Sequence, residues 1–423
     1  MMQEDIERFN EWWFTGKVRN KLALPFHRYA FSRILENLTE RQILLIVGLR
    51  RVGKTTLLFQ AIEKLLEKTP SRNILYFSFE ESSIQPKEVL EYYEKTVLRK
   101  SLEDAGKVFV FFDEIQYVEN WSSTIKQFYD LYPSLKFFVS GSSSLLLSKE
   151  AIDKLAARFF LLPLKPLKFS EFLGLKGLRL EESEVFSRRM ELNFNDFLRK
   201  SGFPEIVEWD NESRVAEYIK NSVIDRVALR DIPFMFKTRD MTLIDNLIKL
   251  ILSTPGCIIN TNSLSRTWGE SKITISNYLR FLETTLLVNS LSNFKPSFLA
   301  SSRKLKKYYP ATPSLIFAYS KETYESARGA ALETYVVNTL DAHHYFREGK
   351  KEIDIILKDK VLFPIEVKET VSDDDLKKYS ELLKYVNAPK GAIVSSTQRI
   401  KTERVEVIPA YLSEFLAEKI KHE

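Results

Sequence analysis

The chain has 423 residues, 44% of them hydrophobic and 28% charged, a folded composition on a length that exceeds one core, so several domains are expected. Its single cysteine, Cys257, excludes an internal disulfide framework and points to a reducing, cytoplasmic setting. The formal charge of +6 permits a nucleic-acid partner without identifying one, and no apolar run is long enough to span a bilayer, so no membrane partner is expected.

The opening "MMQEDIERFNEWWF" is acidic where a signal peptide would be basic. The first strong element is the strand "QILLIV". It runs into Gly48-Leu49-Arg50-Arg51-Val52-Gly53-Lys54-Thr55, which fits G-x-x-x-x-G-K-[ST], and the helix "TTLLFQAIEKLLEK" begins at Thr55-Thr56. A loop between strand and helix N-terminus is a phosphate cradle: residues 48–56 offer backbone N–H groups, Lys54 reaches the terminal phosphates, and the Thr55 hydroxyl ligates Mg²⁺.

Four more apolar segments follow, "NILYFSF", "KVFVFF", "LKFFVSG" and "RFFLLPL", alternating with amphipathic helices, the pattern of a parallel α/β sheet. "KVFVFF" ends in Asp113-Glu114. Asp113 is expected in the Mg²⁺ shell and Glu114 as the base that orients the attacking water, which implies hydrolysis. In "SGSSSLL", Ser142 is either a hydroxyl beside the γ-phosphate or part of an ordinary turn. Arg158, opening the fifth strand, is either an arginine finger reaching a neighbouring subunit's nucleotide, which makes the protein a homo-oligomer, or a surface salt bridge.

"GLRRVGKTTLL", "FVFFDEIQ", "FVSGSSSLLL", "ARFFLLPLKPLKFSEFL", "SGFPEIV" and "VALRDIP" together resemble the successive motifs of archaeal and bacterial AAA-type P-loop ATPases. Members of that family continue into a helical lid, a winged helix and a C-terminal restriction-endonuclease-like, PD-(D/E)xK, domain of unassigned function. The resemblance implies ATP rather than GTP. It also implies an α/β multidomain architecture: ATPase core over 1–165, lid over 166–238, winged helix over 239–300, and a basic linker with the nuclease-like domain over 301–423. Relatives often have Gly-Arg where this chain has Ala157-Arg158.

From about residue 166 to 250 the periodicity is helical, with Arg226, Arg230 and Asp231 in "DRVALRDIP" read as a charged helix end. Residues 240–298 hold three helix candidates and the short strand "NSLSNF", a helix-turn-helix with a wing. On its third helix Lys272, Thr274, Asn277 and Arg280 are expected on one face and Ile273, Ile275, Leu279 and Leu282 on the other. That polar face suits either a DNA major groove or a protein partner. "SSRKLKKYYP", with Arg303, Lys304, Lys306, Lys307, Tyr308 and Tyr309, is either a DNA-binding stretch or a solvated linker.

The last domain orders helix, strands, helix, strand. Asp354 lies in one apolar strand segment, and Glu366 and Lys368 share a side of the next. Asp354 and Glu366, with Glu333 from the preceding helix, are expected to hold a second divalent ion while Lys368 stabilises charge on a phosphate. The same fold without chemistry would serve as a scaffold for nucleic acid or protein. The resulting expectation is an Mg²⁺-dependent ATPase that couples nucleotide state to DNA binding and cleavage; its alternative is an ATP-gated switch for protein partners.

Overall fold

A computed structural model describes residues 2–142, 153–238, 240–294, 305–319, 324–358 and 361–422. The chain divides into two compact units, Met1–Lys165 and Pro166–Glu423.

The first unit is built on five parallel strands, β1 (Ile43–Gly48), β2 (Ile74–Ser78), β3 (Val108–Asp113), β4 (Leu135–Gly141) and β5 (Phe159–Leu164), in the order β2-β3-β4-β1-β5. Every residue of β1, β3 and β4 is buried, because central strands of a parallel sheet are covered on both faces; hence they read as unbroken apolar runs. The unit's α-helices include α1 (Met2–Phe9), α2 (Trp12–Thr15), α3 (Ala30–Glu36), α4 (Lys54–Leu66), α5 (Pro86–Tyr92) and α6 (Trp121–Leu131). The carboxyl ends of β1, β4 and β3 lie side by side, with Val47 opposite Gly141 and Phe112 opposite Val139, so the three loops that follow them gather at one edge.

The outer edge of β2 is closed by side chains of the N-terminal segment. The Asn10 amide donates to Tyr76 O and accepts from Tyr76 N, both at 2.7 Å, as a neighbouring strand would. The indole N–H groups of Trp12 and Trp13 both donate to Ile74 O, at 3.1 and 2.8 Å.

The second unit opens with helices Phe169–Leu175, Ser187–Lys200 and Glu212–Ile219, whose aromatic side chains Phe169, Phe172, Phe194 and Phe197 pack with Tyr335 in its largest core. The expected helical stretch around "DRVALRDIP" winds as π-helical turns at Lys220–Ile224 and Val227–Asp231, and Asp231 is buried rather than at an exposed helix end. Next come helix Met241–Ser253, β6 (Cys257–Ile259), helices Thr261–Trp268 and Lys272–Thr284, β7 (Val288–Asn293) and β8 (Lys306–Pro310). Helix Tyr324–Thr339 leads to β9 (His344–Glu348) and β10 (Lys351–Ile353), which complete a sheet ordered β10-β9-β7-β8-β6. A second sheet, β11-β12-β13-β15-β14, is formed by β11 (Ile355–Lys358), β12 (Leu362–Lys368), β13 (Gly391–Ser395), β14 (Ile400–Lys401) and β15 (Val405–Pro409).

Three expectations are corrected here. Ile273 is 75% exposed at the start of its helix, on the side opposite the apolar face that Ile275, Leu279 and Leu282 bury. Lys306, Lys307, Tyr308 and Tyr309 are a strand paired on both sides, with Tyr308 and Tyr309 buried, so they are not an open linker for stacking on bases. Arg303 and Lys304 lie outside the described residues. Asp354 stands at the bend between β10 and β11, not within a strand.

Candidate functional site

The loop after β1 has the backbone its sequence requires. A side chain at Gly48 would place its Cβ 2.4 Å from Leu164 O, and Gly53, with φ 97°, caps the start of α4 in the left-handed region. Arg51 adopts φ 64°, which alternates the loop's conformations and turns successive N–H groups inward. From below, the buried Arg28 guanidinium donates to Val52 O at 2.8 Å.

Lys54 is buried, its Nζ 3.3 Å from Gly48 O, 3.2 Å from Leu49 O and 3.5 Å from the Glu114 carboxylate. The next residue, Thr55, donates to Asp113 Oδ2 at 2.6 Å. Asp113 is saturated with donors: Tyr76 OH also reaches Oδ2, at 2.9 Å, while Ser140 Oγ and Glu114 N reach Oδ1, the latter at 3.1 Å. Burial and then the neighbouring Glu114 charge push the Asp113 carboxyl above its usual range, against the hydrogen bonds from Ser140 and Thr55. Burial works the same way on Glu114, but Lys54, the Gln116 amide and Arg50 outweigh it and hold that carboxyl below its usual range. Glu114 is therefore held ionised, as a base must be. Its backbone sits at φ 52°, a left-handed conformation that costs on the order of 1 kcal/mol and aims the side chain away from the strand it ends.

Ser142 is buried and its N–H donates to Gln116 Oε1 at 3.2 Å, while the Gln116 amide in turn holds Glu114. The serine hydroxyl on Asp113 is that of Ser140, two residues earlier, which follows Val139 on β4 as Asp113 follows Phe112 on the paired β3. Tyr76, Gln116 and Ser140 are thus site residues that motif reading missed; Gln116 sits in the "DEIQ" string, but Tyr76 carries no motif signal. Arg158 is engaged with Asp130 on α6, at 2.8 and 3.2 Å. Its neighbour Ala157 has φ 61°, a left-handed conformation that glycine adopts without cost.

A hydroxyl and a carboxylate side by side at the foot of α4, with a lysine on the opposite side, form the donor set Mg²⁺ takes beside nucleotide phosphates, so the residues present fit that ion. A cavity of about 850 Å³ has Thr55, Asp113 and Glu114 on its lining, with Tyr76 and Phe59 beside them and Arg8 of α1 opposite.

The carboxylates of the second unit are arranged differently. Lys307 Nζ, from β8, lies 2.6 Å from Glu352, 3.7 Å from Asp354 and 3.9 Å from Glu333, and the side chain is only 6% exposed. Tyr309 OH donates to Glu333 at 2.6 Å, and Asp354 Oδ2 accepts from Val367 N at 2.9 Å. Burial and then Asp354 push the Glu366 carboxyl up to about 10 and that of Glu333 to about 7. Lys368 turns to Asp375, at 3.3 Å. Among the described residues, no three His, Cys, Asp or Glu side chains converge so as to hold a metal ion. Glu333 and Asp354 are engaged by Lys307, and Glu366 shares a hydrogen bond with Asp354, so these acids are held by a lysine and by one another, and this donor set does not fit a divalent ion as it stands.

Residues 40–173 match a family described as an AAA domain, and residues 191–345 and 328–412 match two families described as domains of unknown function, DUF8612 and DUF4143. The chain is 27% identical over 391 residues to an uncharacterized protein of Methanocaldococcus jannaschii, covering 88% of this chain and 86% of that one. It is 28% identical over 251 residues to an uncharacterized protein of Haemophilus influenzae, and 28% over 293 residues to a second from M. jannaschii, spanning 61% and 60% of their lengths and 58% and 63% of its own. Among solved structures, the Aeropyrum pernix ORC1 protein in complex with DNA aligns over 75% of this chain and 98% of its own, at 13% identity and a TM-score of 0.35. The matched domain and its phosphate loop define the class: residues 40–173 are an AAA-type P-loop ATPase domain. No helix among the described residues is long and apolar enough to cross a membrane.

Proposed function

We propose that this chain is an Mg²⁺-dependent ATPase whose nucleotide state is relayed to DNA-contacting modules in its second unit. One observation carries the hydrolytic part: Lys54 and Thr55 at the start of α4 and Asp113 and Glu114 at the end of β3, two segments far apart in sequence, meet at the carboxyl end of the sheet. With nucleotide bound, Lys54 exchanges its two loop carbonyls and Glu114 for phosphate oxygens. Glu114, released from Lys54 but still held by Gln116, then accepts a proton from the water it orients. Mg²⁺ at Thr55 and Asp113 supplies neutralisation of the phosphate charge. Lys54→Ala should abolish nucleotide binding, while Glu114→Gln should bind ATP and fail to turn it over; wild-type turnover by Glu114→Gln would refute the assignment.

The DNA part is supported by the order helix, β6, helix, helix, β7, β8, which is that of a winged helix-turn-helix. The turn uses Gly269 at φ 73° as a helix cap and Ser271 as the next N-cap, and Lys272, Ser276 and Arg280 are exposed on the third helix. For the terminal domain, helix Tyr324–Thr339, strands β9 to β12, helix Asp373–Tyr385 and β13 follow the order of a restriction-endonuclease-like core. The Lys307 ammonium among its acids favours a scaffold that retains this fold over a metal-dependent nuclease. Strand scission of linear or forked DNA in Mg²⁺ or Mn²⁺, lost in Asp354→Ala, would overturn that preference.

A further inference from the structure

Tyr76 has no counterpart in the phosphate-loop motifs, yet it touches the centre of the site. It is buried, and its hydroxyl shares Asp113 Oδ2 with the Thr55 hydroxyl. Its strand, β2, is the sheet edge, where a residue's position depends on whatever closes the open side. Here the closure comes from residues that precede the matched ATPase domain at position 40. Asn10, fully buried, grips both backbone groups of Tyr76 itself, and the two tryptophans grip Ile74 two residues earlier on the same side of the strand. The Tyr76 ring is held between Phe59 of α4, with centroids 4.6 Å apart, and Phe9 of α1, at 5.9 Å. The segment is tied down further by Tyr92 OH on Glu7, at 3.1 Å.

We infer that Tyr76 is a positioning residue for Asp113, and that the N-terminal segment of residues 2–22 is a functional part of the ATPase site because Asn10 sets where the Tyr76 hydroxyl falls. A carboxylate that takes two donors on each oxygen is fixed in both tilt and rotation. Without Tyr76, Oδ2 keeps only Thr55, the very group that must also serve the metal, so the cost falls on assembly of the Mg²⁺ shell and not on the phosphate grip of the loop. The inference rests on the ATPase reading.

The test uses the full chain as wild type, Tyr76→Phe, Asn10→Ala and the double variant, with steady-state turnover measured against ATP at saturating Mg²⁺ and against Mg²⁺ at saturating ATP, and with Mg²⁺ affinity read by calorimetry on the chain holding a non-hydrolysable ATP analogue, where Tyr76→Phe should weaken it by the same factor as the half-saturation. Removing one hydrogen bond to a charged group predicts a fall in kcat of about tenfold in Tyr76→Phe and a rise of at least about threefold in the Mg²⁺ half-saturation. KM for ATP should stay within about twofold, because Lys54 and the loop are untouched. Asn10→Ala should move the same two quantities in the same direction, and the double variant should be no worse than its worse parent, since both changes release one contact. Wild-type kcat and Mg²⁺ dependence in Tyr76→Phe overturn the inference, as does a double variant equal to the product of the singles. If Asn10→Ala does not fold, Tyr76→Phe, which loses only an oxygen, decides alone. Wild type lacking any turnover that Lys54→Ala abolishes would sink the ATPase reading and this inference with it, whereas ordinary turnover with an inert Tyr76→Phe sinks the inference only.

Discussion

Lys307→Met is the sharpest perturbation of the second unit. Methionine fills nearly the same volume, so packing around the stem is kept and the change is electrostatic. It leaves Glu333, Glu352 and Asp354 without the ammonium that lies 2.6 to 3.9 Å from all three. Burial alone would lower the lysine's pKa, but Asp354, Glu333 and Glu352 together raise it, so it is charged in the wild type at neutral pH. Removing one partner of a buried ion pair costs about 3–5 kcal/mol. For a unit of this size that is a drop in melting temperature of about 6–20 °C. Calorimetry of the intact chain at pH 7.5 measures it. The sign with pH is also fixed. The stranded carboxyls would have folded pKa values raised above their unfolded ones, so stability is present in acid and lost as pH rises, and the gap to wild type should narrow towards pH 5. A variant that melts within about 2 °C of wild type at pH 7.5, or a gap that widens towards acid, would refute the reasoning.

Ala157→Gly should raise the stability of the first unit by about 1 kcal/mol, because relief of the left-handed strain outweighs the extra freedom of glycine in the unfolded chain; a lower melting temperature would count against it. Glu366, held neutral to about pH 10, should cost the wild type about 3 kcal/mol between pH 5 and 7, where only the unfolded chain ionises, and Glu366→Gln should flatten that slope in denaturant titrations. Parallel pH profiles would dispose of the point. Replacing Lys272 and Arg280 together by Ala should weaken DNA binding and reduce the slope of log affinity against log salt by about 2, and an unchanged slope would move the contact off this helix.

The first unit was legible in the sequence because its information is local. A phosphate loop must follow a strand and start a helix, and an apolar run ending in Asp113-Glu114 can only deliver those carboxylates to the same sheet edge. What escaped was non-local. Ser140 carries no motif signal of its own, and its contact with Asp113 follows from the pairing of β4 with β3, which the local sequence does not display. Tyr76 reads as one more aromatic in a strand, and its hydroxyl matters only through the neighbouring strand. Lys307 shows the same limit more strongly. In "SSRKLKKYYP" it is one of four bases without a nearby acid in sequence, and its true partners are brought to it by distant elements, Glu333 by helix Tyr324–Thr339, and Glu352 and Asp354 by β10 and the bend after it. Ile273 is apolar by type, but the 100° step of the helix puts it opposite Ile275, Leu279 and Leu282 and so in solvent.

Both borders of the parallel sheet in the first unit are guarded. Asn10, Trp12 and Trp13 occupy the hydrogen-bonding groups of β2 at Ile74 and Tyr76, and β5 at the opposite border carries Pro163, which has no N–H to offer. Copies of this protein that meet side by side therefore have no strand to share at those points, and a continuous intermolecular sheet is disfavoured from either side. Any contact between two copies at those borders would instead be made by side chains and loops. Such joints can be opened and closed within a catalytic cycle, as a shared backbone ladder could not.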